Sequence, residues 1–298
     1  MKSISTALIL LLLVSGCSLN DSYKNCFPDT DLYLEFEYLA DTKNNVLRKH
    51  ISHSRVYIYD NTDLLIDSFD VNQNGLIHGK DLGVFPIGEY TFISWANMHN
   101  QTEITQSEFL ETGRLNTLKF KDPDYITGND PLYYAQQKVT ITKNYESTRI
   151  LQKDTLKYQS AHINFRVIVH GMKDKEIKVV FNHLMPEYDF NMNSARPYET
   201  SYHPIVVEED LEEDGYKRLM EFAALRFKDK NQITIELLDL KSGELITPKL
   251  SLEQLMLKNE VSVENKQEVT LLIEFRISDN SIQVTLKEWE EQEIIPGN

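Results

Sequence analysis

From Leu32 onward, apolar residues recur at every second position. Leu32, Leu34, Phe36 and Tyr38 alternate with Tyr33, Glu35 and Glu37. The same beat runs through Val56 and Ile58, Tyr90 and Phe92, and Val139 and Ile141. It returns in Ala161, Ile163, Phe165, Val167 and Val169, in Ile233, Ile235 and Leu237, in Val269 to Ile277, and in Ile282, Val284 and Leu286. Successive side chains of a strand point to opposite faces, so this period commits the chain to strands with one buried face. Helical signals are few. Ser251-Leu-Glu-Gln254, ahead of Leu255 to Leu257, is a capping box and predicts one short helix. Residues 106–111 are a second candidate, and Tyr216–Phe227 fits a helix or a strand. Asp279-Asn280, between two alternating runs, signals a hairpin.

Many short strands and few helices predict an all-β chain of sandwiches, and 298 residues leave room for two in tandem. The polar stretch Lys143–Thr155 separates two strand sets. Sandwich domains are therefore expected over residues 31–152 and 153–298.

The first residues have a different character. Lys2 is followed by an apolar run, Ala7–Val14, that rises only about 12 Å as a helix. A membrane span needs roughly 20 residues, so the run reads as a signal peptide over residues 1–16. It ends in Leu13-Val14-Ser15-Gly16-Cys17, which resembles the bacterial lipoprotein box. In such proteins cleavage falls before the cysteine, whose thiol carries a diacylglycerol. Cys17 is the expected lipidation site, and several acyl chains anchor where one is marginal. Residues 17–30 read as a polar tether, and Cys26 is then left without a partner in the chain.

The net charge of −15 and pI near 5.0 argue against nucleic acid as a partner, which needs a basic footprint. With two cysteines, a disulfide scaffold and an all-cysteine zinc site are excluded. The sharpest local motif is Asp70-Val-Asn72-Gln-Asn74-Gly75, with Asp81 at the twelfth position, the spacing of a calcium loop. Two features weaken it. Asp81 reaches less far than the usual glutamate, and the flanks read as strand and loop rather than helices. A turn at Asn74-Gly75 is the preferred reading. His50 and His53 lack a third ligand nearby, and His162 and His170 are about 26 Å apart along a strand on its polar face. No nucleophile elbow, zincin helix or phosphate loop occurs, so no catalytic residue and no cofactor is expected. The 15 Tyr and 13 Phe are assigned to cores rather than to a sugar-binding stripe.

The order of motifs carries a family resemblance. Leu32-Tyr-Leu-Glu-Phe-Glu-Tyr38 leads to Arg55-Val-Tyr-Ile-Tyr-Asp60, then to Phe85-Pro-Ile-Gly-Glu-Tyr-Thr-Phe-Ile-Ser-Trp-Ala-Asn97. Ala161 to Gly171, Tyr188-Asp-Phe190, Leu225-Arg-Phe227 and Ile282 to Trp289 follow in order. Together with the lipobox, this resembles the FimB-type fimbrial anchor family of Bacteroidota. The resemblance implies two tandem transthyretin-like β-sandwiches and a non-enzymatic lipoprotein in the outer membrane. It implies fimbrial stalk subunits as partners, the membrane as a partner through lipid, and no small-molecule substrate. Related stalk subunits lose their first strand by cleavage after an arginine. Here that strand is Leu32–Leu39, the following loop contains Arg48-Lys49, and the anchor reading keeps it uncut. The alternative is a surface lipoprotein or tip adhesin that binds a glycan or another host ligand.

Overall fold

The computed structural model describes residues 30–99, 101–104, 118–120, 126–143, 149–172, 175–194, 200–212, 215–278 and 281–289. The first half contains β1 (Thr30–Glu37), α1 (Leu47–His50), β2 (His53–Asp60), β3 (Leu65–Asn72), α2 (Gln73–His78), β4 (Lys80–Phe85) and β5 (Gly88–Ala96). β6 (Thr102–Ile104) and β7 (Leu118–Phe120) pair with each other, and β8 (Tyr133–Ile141) and β9 (Ile150–Ser160) complete it. The second half contains β10 (His162–Gly171), β11 (Ile177–Leu184), β12 (Thr200–Tyr202), β13 (Val206–Glu212) and β14 (Gly215–Leu225). β15 (Thr234–Asp239), β16 (Leu250–Ser251), α3 (Leu252–Lys258), β17 (Thr270–Ser278) and β18 (Ser281–Glu288) follow.

The first sandwich is one ladder folded over on itself, in the order β3-β2-β5-β8-β9-β1-β4. The fold occurs at β9. Its last residues pair with β8, from Tyr133↔Ser160 to Ala135↔Tyr158. Its earlier residues run parallel to β1, from Thr30↔Ile150 to Glu37↔Lys157. Leu32, Leu34 and Phe36 of β1 thus meet Val56, Ile58, Phe92 and Val139 in one core. A strand that switches sheets makes such a corner. The boundary expected after residue 152 falls inside β9, which stays in this first ladder to Ser160.

The second sandwich packs a β13-β14-β10-β17-β18 sheet on a β12-β11-β15-β16 sheet. Phe165, Val167 and Val169 face Val179, Phe181, Ile235 and Leu237 across its core. Phe165 stacks on Phe222 at 4.9 Å. α3 closes the core with Leu252, Leu255 and Met256, and its N-cap Ser251 accepts a hydrogen bond from Gln254 N as the capping box requires. Tyr216–Phe227, open between two periods in sequence, is mostly strand β14. Ser278 pairs with Ser281, so β17 and β18 form the expected hairpin, while residues 279–280 lie outside the described residues, as do 106–111.

A third apolar cluster joins the sandwiches. Tyr57, Ile93, Trp95 and Tyr134 project from the back of the β2-β5-β8 sheet onto Met185, Tyr188, Phe190 and Leu225. Tyr57 meets Phe190 edge-on at 4.8 Å, and Trp95 lies 5.8 Å from Tyr188. β2 and β5 are therefore buried on both faces, which is why Val56–Tyr59 and Phe92–Ala96 are continuous buried runs.

Candidate functional site: the first strand and its clasp

Strict alternation places every second side chain of β1 in the core. Leu32, Leu34 and Phe36, with Tyr38 just beyond, are buried. The outward side chains are Asp31, Tyr33, Glu35 and Glu37, and β9 with the residue before it supplies facing bases. Arg149 pairs with Asp31, Lys153 Nζ lies 3.1 Å from Glu35, and Lys157 Nζ lies 3.5 Å from Glu37. On its other side β1 pairs antiparallel with β4, from Thr30↔Phe85 to Leu34↔Lys80. The Tyr33 hydroxyl donates to His78 O across this edge. Its ring lies where a side chain on Gly79 would sit, so the positive φ of 79° there needs glycine for both reasons. β1 thus has strand partners along its whole β9 edge and, on the other edge, as far as Leu34.

The chain leaves β1 through a loop fastened to the second sandwich. The Asp41 carboxylate accepts from Gln267 N and Glu268 N, each at 3.0 Å. The Glu268 carboxylate in turn accepts from the Tyr38 hydroxyl and from the Tyr133 hydroxyl at 2.9 Å, and lies 3.3 Å from His50 Nδ1. Burial, then the Glu268 charge, pushes the Tyr38 and Tyr133 hydroxyls far above their ordinary range, so both stay protonated donors. Arg226 holds segment 263–268 in shape. Its guanidinium donates to His162 O at 3.2 Å, Gln267 O at 3.1 Å, Val263 O at 2.9 Å and Lys266 O. His162 is buried beside this cluster, its Nδ1 2.9 Å from Leu132 O, and burial lowers its pKa. The polar strand face expected for His162 is thus covered at the junction. His170 lies farther along β10, 2.9 Å from Glu274.

Arg48 and Lys49 do not lie in an open loop. They form the exposed side of α1, between buried Leu47 and Ile51, and Ile51 N donates to Leu47 O at 2.8 Å. Asn45 ties this turn to β1, accepting from Tyr38 N and Leu47 N and donating to Phe36 O.

The candidate calcium positions are spread over three elements. Asp70 sits in β3, 3.7 Å from Arg55 Nη1. Asn72 caps α2, its Oδ1 accepting from Gly75 N at 2.9 Å, and Asn74 lies within that helix. Asp81 in β4 accepts from Gly83 N at 2.8 Å. Asn74-Gly75 is thus a helical turn and not a hairpin, because the Asn72 cap and the burial of Leu76 favour a helix there. Among the described residues no group of three or more His, Cys, Asp or Glu is placed to hold a metal. His50 belongs to the clasp, whereas His53 stacks near His99 at 4.3 Å and bonds Met98 O. Cys17 and Cys26 lie outside the described residues.

Fold and site define a class, a two-sandwich β-protein whose first strand is closed into its own sheet and tied to the second domain. The chain belongs to the family of fimbrillin-A associated anchor proteins Mfa1 and Mfa2, whose model matches residues 22–295. Its fold is similar to the fimbrial anchor protein Mfa2 from Porphyromonas gingivalis, with a TM-score of 0.66 and 16% identity over 88% of this chain and 98% of that one. It is also similar to a candidate polysaccharide-binding protein from Bacteroides thetaiotaomicron, with a TM-score of 0.66 and 15% identity over 89% and 99%. A candidate adhesin from Bacteroides ovatus matches with a TM-score of 0.65 and 11% identity over 89% and 97%. At these identities the likeness concerns the fold. No curated relative matches the sequence significantly. The resemblance drawn from the sequence motifs is borne out, and so is the all-β double-sandwich architecture. Membership places the chain among cell-surface fimbrial proteins of anchor and adhesin type, which work with other fimbrial subunits.

Sequence reasoning missed Asp41, Tyr133, Arg226 and Glu268. No periodic signal marks them, because Asp41 and its partner Gln267 are 226 positions apart.

Proposed function

We propose that the protein is the base of a fimbrium, held in the outer membrane by acyl chains on Cys17 and engaging stalk subunits through protein contacts. The observation that carries this reading is the closure of β1. The tether of residues 17–30 runs directly into β1, so a cut after Arg48 would part the body from its lipid. A body that keeps its membrane anchor must keep β1, and β1 is held as that role demands. Its inward side chains are buried, one edge is paired along its length and the other as far as Leu34, and its exit is clasped to the second sandwich. A pull on the tether enters at Thr30 and loads two ladders along their length, so their hydrogen bonds shear together instead of opening one by one. The calcium positions keep their local caps and ion pairs in this reading, and no catalytic step is assigned.

The test is recovery of the protein from outer membranes, with mass spectrometry of what co-purifies. We expect a palmitate analogue on Cys17, its loss in Cys17→Ala, fimbrial subunits in the eluate, and peptides covering residues 32–48. Peptides that begin at Lys49, with 32–48 lost, would make the chain a processed, polymerising subunit. Absence of any fimbrial partner would sink the reading.

A further inference from the structure

β13 is the opposite of β1. It ends the five-stranded sheet, so among the described residues no strand lies beside its outer edge. Ile205, Val206, Val207 and Leu211 are 58%, 40%, 53% and 69% exposed, and Glu208, Glu209 and Asp210 between them are exposed too. Registers fix the faces. Val206 is opposite Met220 and Leu211 opposite Tyr216, and Met220 lies in the core. Val206 and Leu211 therefore lie on the core face of the sheet, where both stay exposed. Arg218 lies on that face as well. It is buried, bonds Glu209 Oε1 through Nε at 2.6 Å, and leaves Nη1 with no hydrogen-bond partner. On the outer face Glu208 and Asp210 project, and Asp210 lies 3.9 Å from Lys217.

An open edge with exposed β-branched residues is a template for another strand. Charge decides which strand. A second copy would set Glu208, Glu209 and Asp210 against themselves, and like charges directly opposite destabilise a strand pair. Each copy also carries a net charge of −15. An anionic lipid surface is repelled for the same reason. We infer that β13 is a docking edge for an extended segment of another protein that alternates apolar residues with Lys or Arg. The apolar residues complete the core face beside Val206 and Leu211, and the bases lie opposite Glu208 and Asp210. This inference stands apart from lipid anchoring, since β13 lies in the second sandwich and the tether enters the first.

The test uses the full chain in detergent and two synthetic peptides, one alternating Lys and Val, the other alternating Glu and Val. Titration calorimetry reads binding, and hydrogen exchange reads its place. The basic peptide is expected to bind and to slow exchange at residues 205–212. The double variant Glu208→Lys, Asp210→Lys should weaken it by about tenfold, since two attractive cross-strand pairs become repulsive. Raising salt to about 0.3 M should weaken it as well. Circular dichroism of the variant confirms its fold, because both positions are exposed. The proposal is overturned if the acidic peptide binds equally, if neither peptide binds, if protection appears elsewhere, or if sedimentation shows that a second copy occupies the edge.

Discussion

β1 and β13 are built from similar residues and meet opposite fates. Both mix aliphatic side chains with acids. In β1 the two kinds alternate strictly, Leu32, Leu34 and Phe36 against Asp31, Glu35 and Glu37, and one face disappears into the core. Around β13 they are blocked, Ile205-Val-Val207 followed by Glu208-Glu-Asp210. No single face is apolar, and the ladder slips through an irregularity between Val206 and Glu208. The order of residues, and not their composition, decides which strand is sealed in and which is offered to a partner.

Core truncation gives the largest contrast. Leu34→Ala removes a fully buried side chain from β1 and should cost about 2–5 kcal/mol. Val207→Ala on β13 should stay within about 0.5 kcal/mol, since Val207 is half exposed. Chemical denaturation of both variants measures the difference. Equal losses would mean that β13 is covered in solution and the contrast is false.

The clasp comes next. Glu268→Ala removes the carboxylate acceptor of the buried Tyr38 and Tyr133 hydroxyls, an expected loss of about 2 kcal/mol. Asp41→Ala frees only two backbone N–H groups near solvent, so its cost should be about 1 kcal/mol or less. Limited trypsin digestion is the sharper readout. Cleavage at Arg48-Lys49 should accelerate in Glu268→Ala and leave β13 hydrogen exchange unchanged. If digestion does not change, α1 is held by Leu47 and Ile51 alone.

Acid should loosen the junction in the same direction. Burial holds the His162 imidazole below its usual value, opposed by Glu268 and assisted by Arg226 and His50. A depressed folded value means that the stabilisation is whole above about pH 6.5 and is lost as pH falls through the folded value. One such group gives a slope of at most about 1.4 kcal/mol per pH unit. Thermal midpoints from pH 7.5 to 5 should fall less steeply in His162→Gln. Parallel curves would assign the acid sensitivity elsewhere.

How much of this was legible follows from the reach of each interaction. Period two and the Ser251 cap are local, so the strands and α3 could be read directly. Val56–Tyr59 and Phe92–Ala96 also show period two, but their second face is covered by Tyr188 and Phe190 of the other sandwich. Nothing in a single strand announces that cover. Asn74-Gly75 carries a hairpin signature that lost to the Asn72 cap and a burial site for Leu76. The boundary drawn at 152 falls inside β9 because the stretch Lys143–Thr155, which includes Lys153, is polar; Lys157, farther along β9, is polar as well. They are polar because they face Glu35 and Glu37 on the surface.

Those ion pairs give the smallest effect and refine the comparison most. Arg149, just before β9, and Lys153 and Lys157 within it recur at intervals of four, opposite the acids of β1. Exposed pairs contribute about 0–1 kcal/mol each, so a double-mutant cycle on Lys153→Ala and Glu35→Ala should return a coupling of only about 0.5 kcal/mol. Their value lies in which strand they admit. Lys153→Glu places like charges against Glu35, and the swapped pair Lys153→Glu with Glu35→Lys should restore stability to within a few tenths of a kcal/mol. A coupling that does not weaken with salt would show the pair to be more than an exposed contact. If instead the swap fails to rescue, the acids of β1 are solubilising residues without a role in register. Burial of Leu32, Leu34 and Phe36 alone would then separate the sealed strand from the open one.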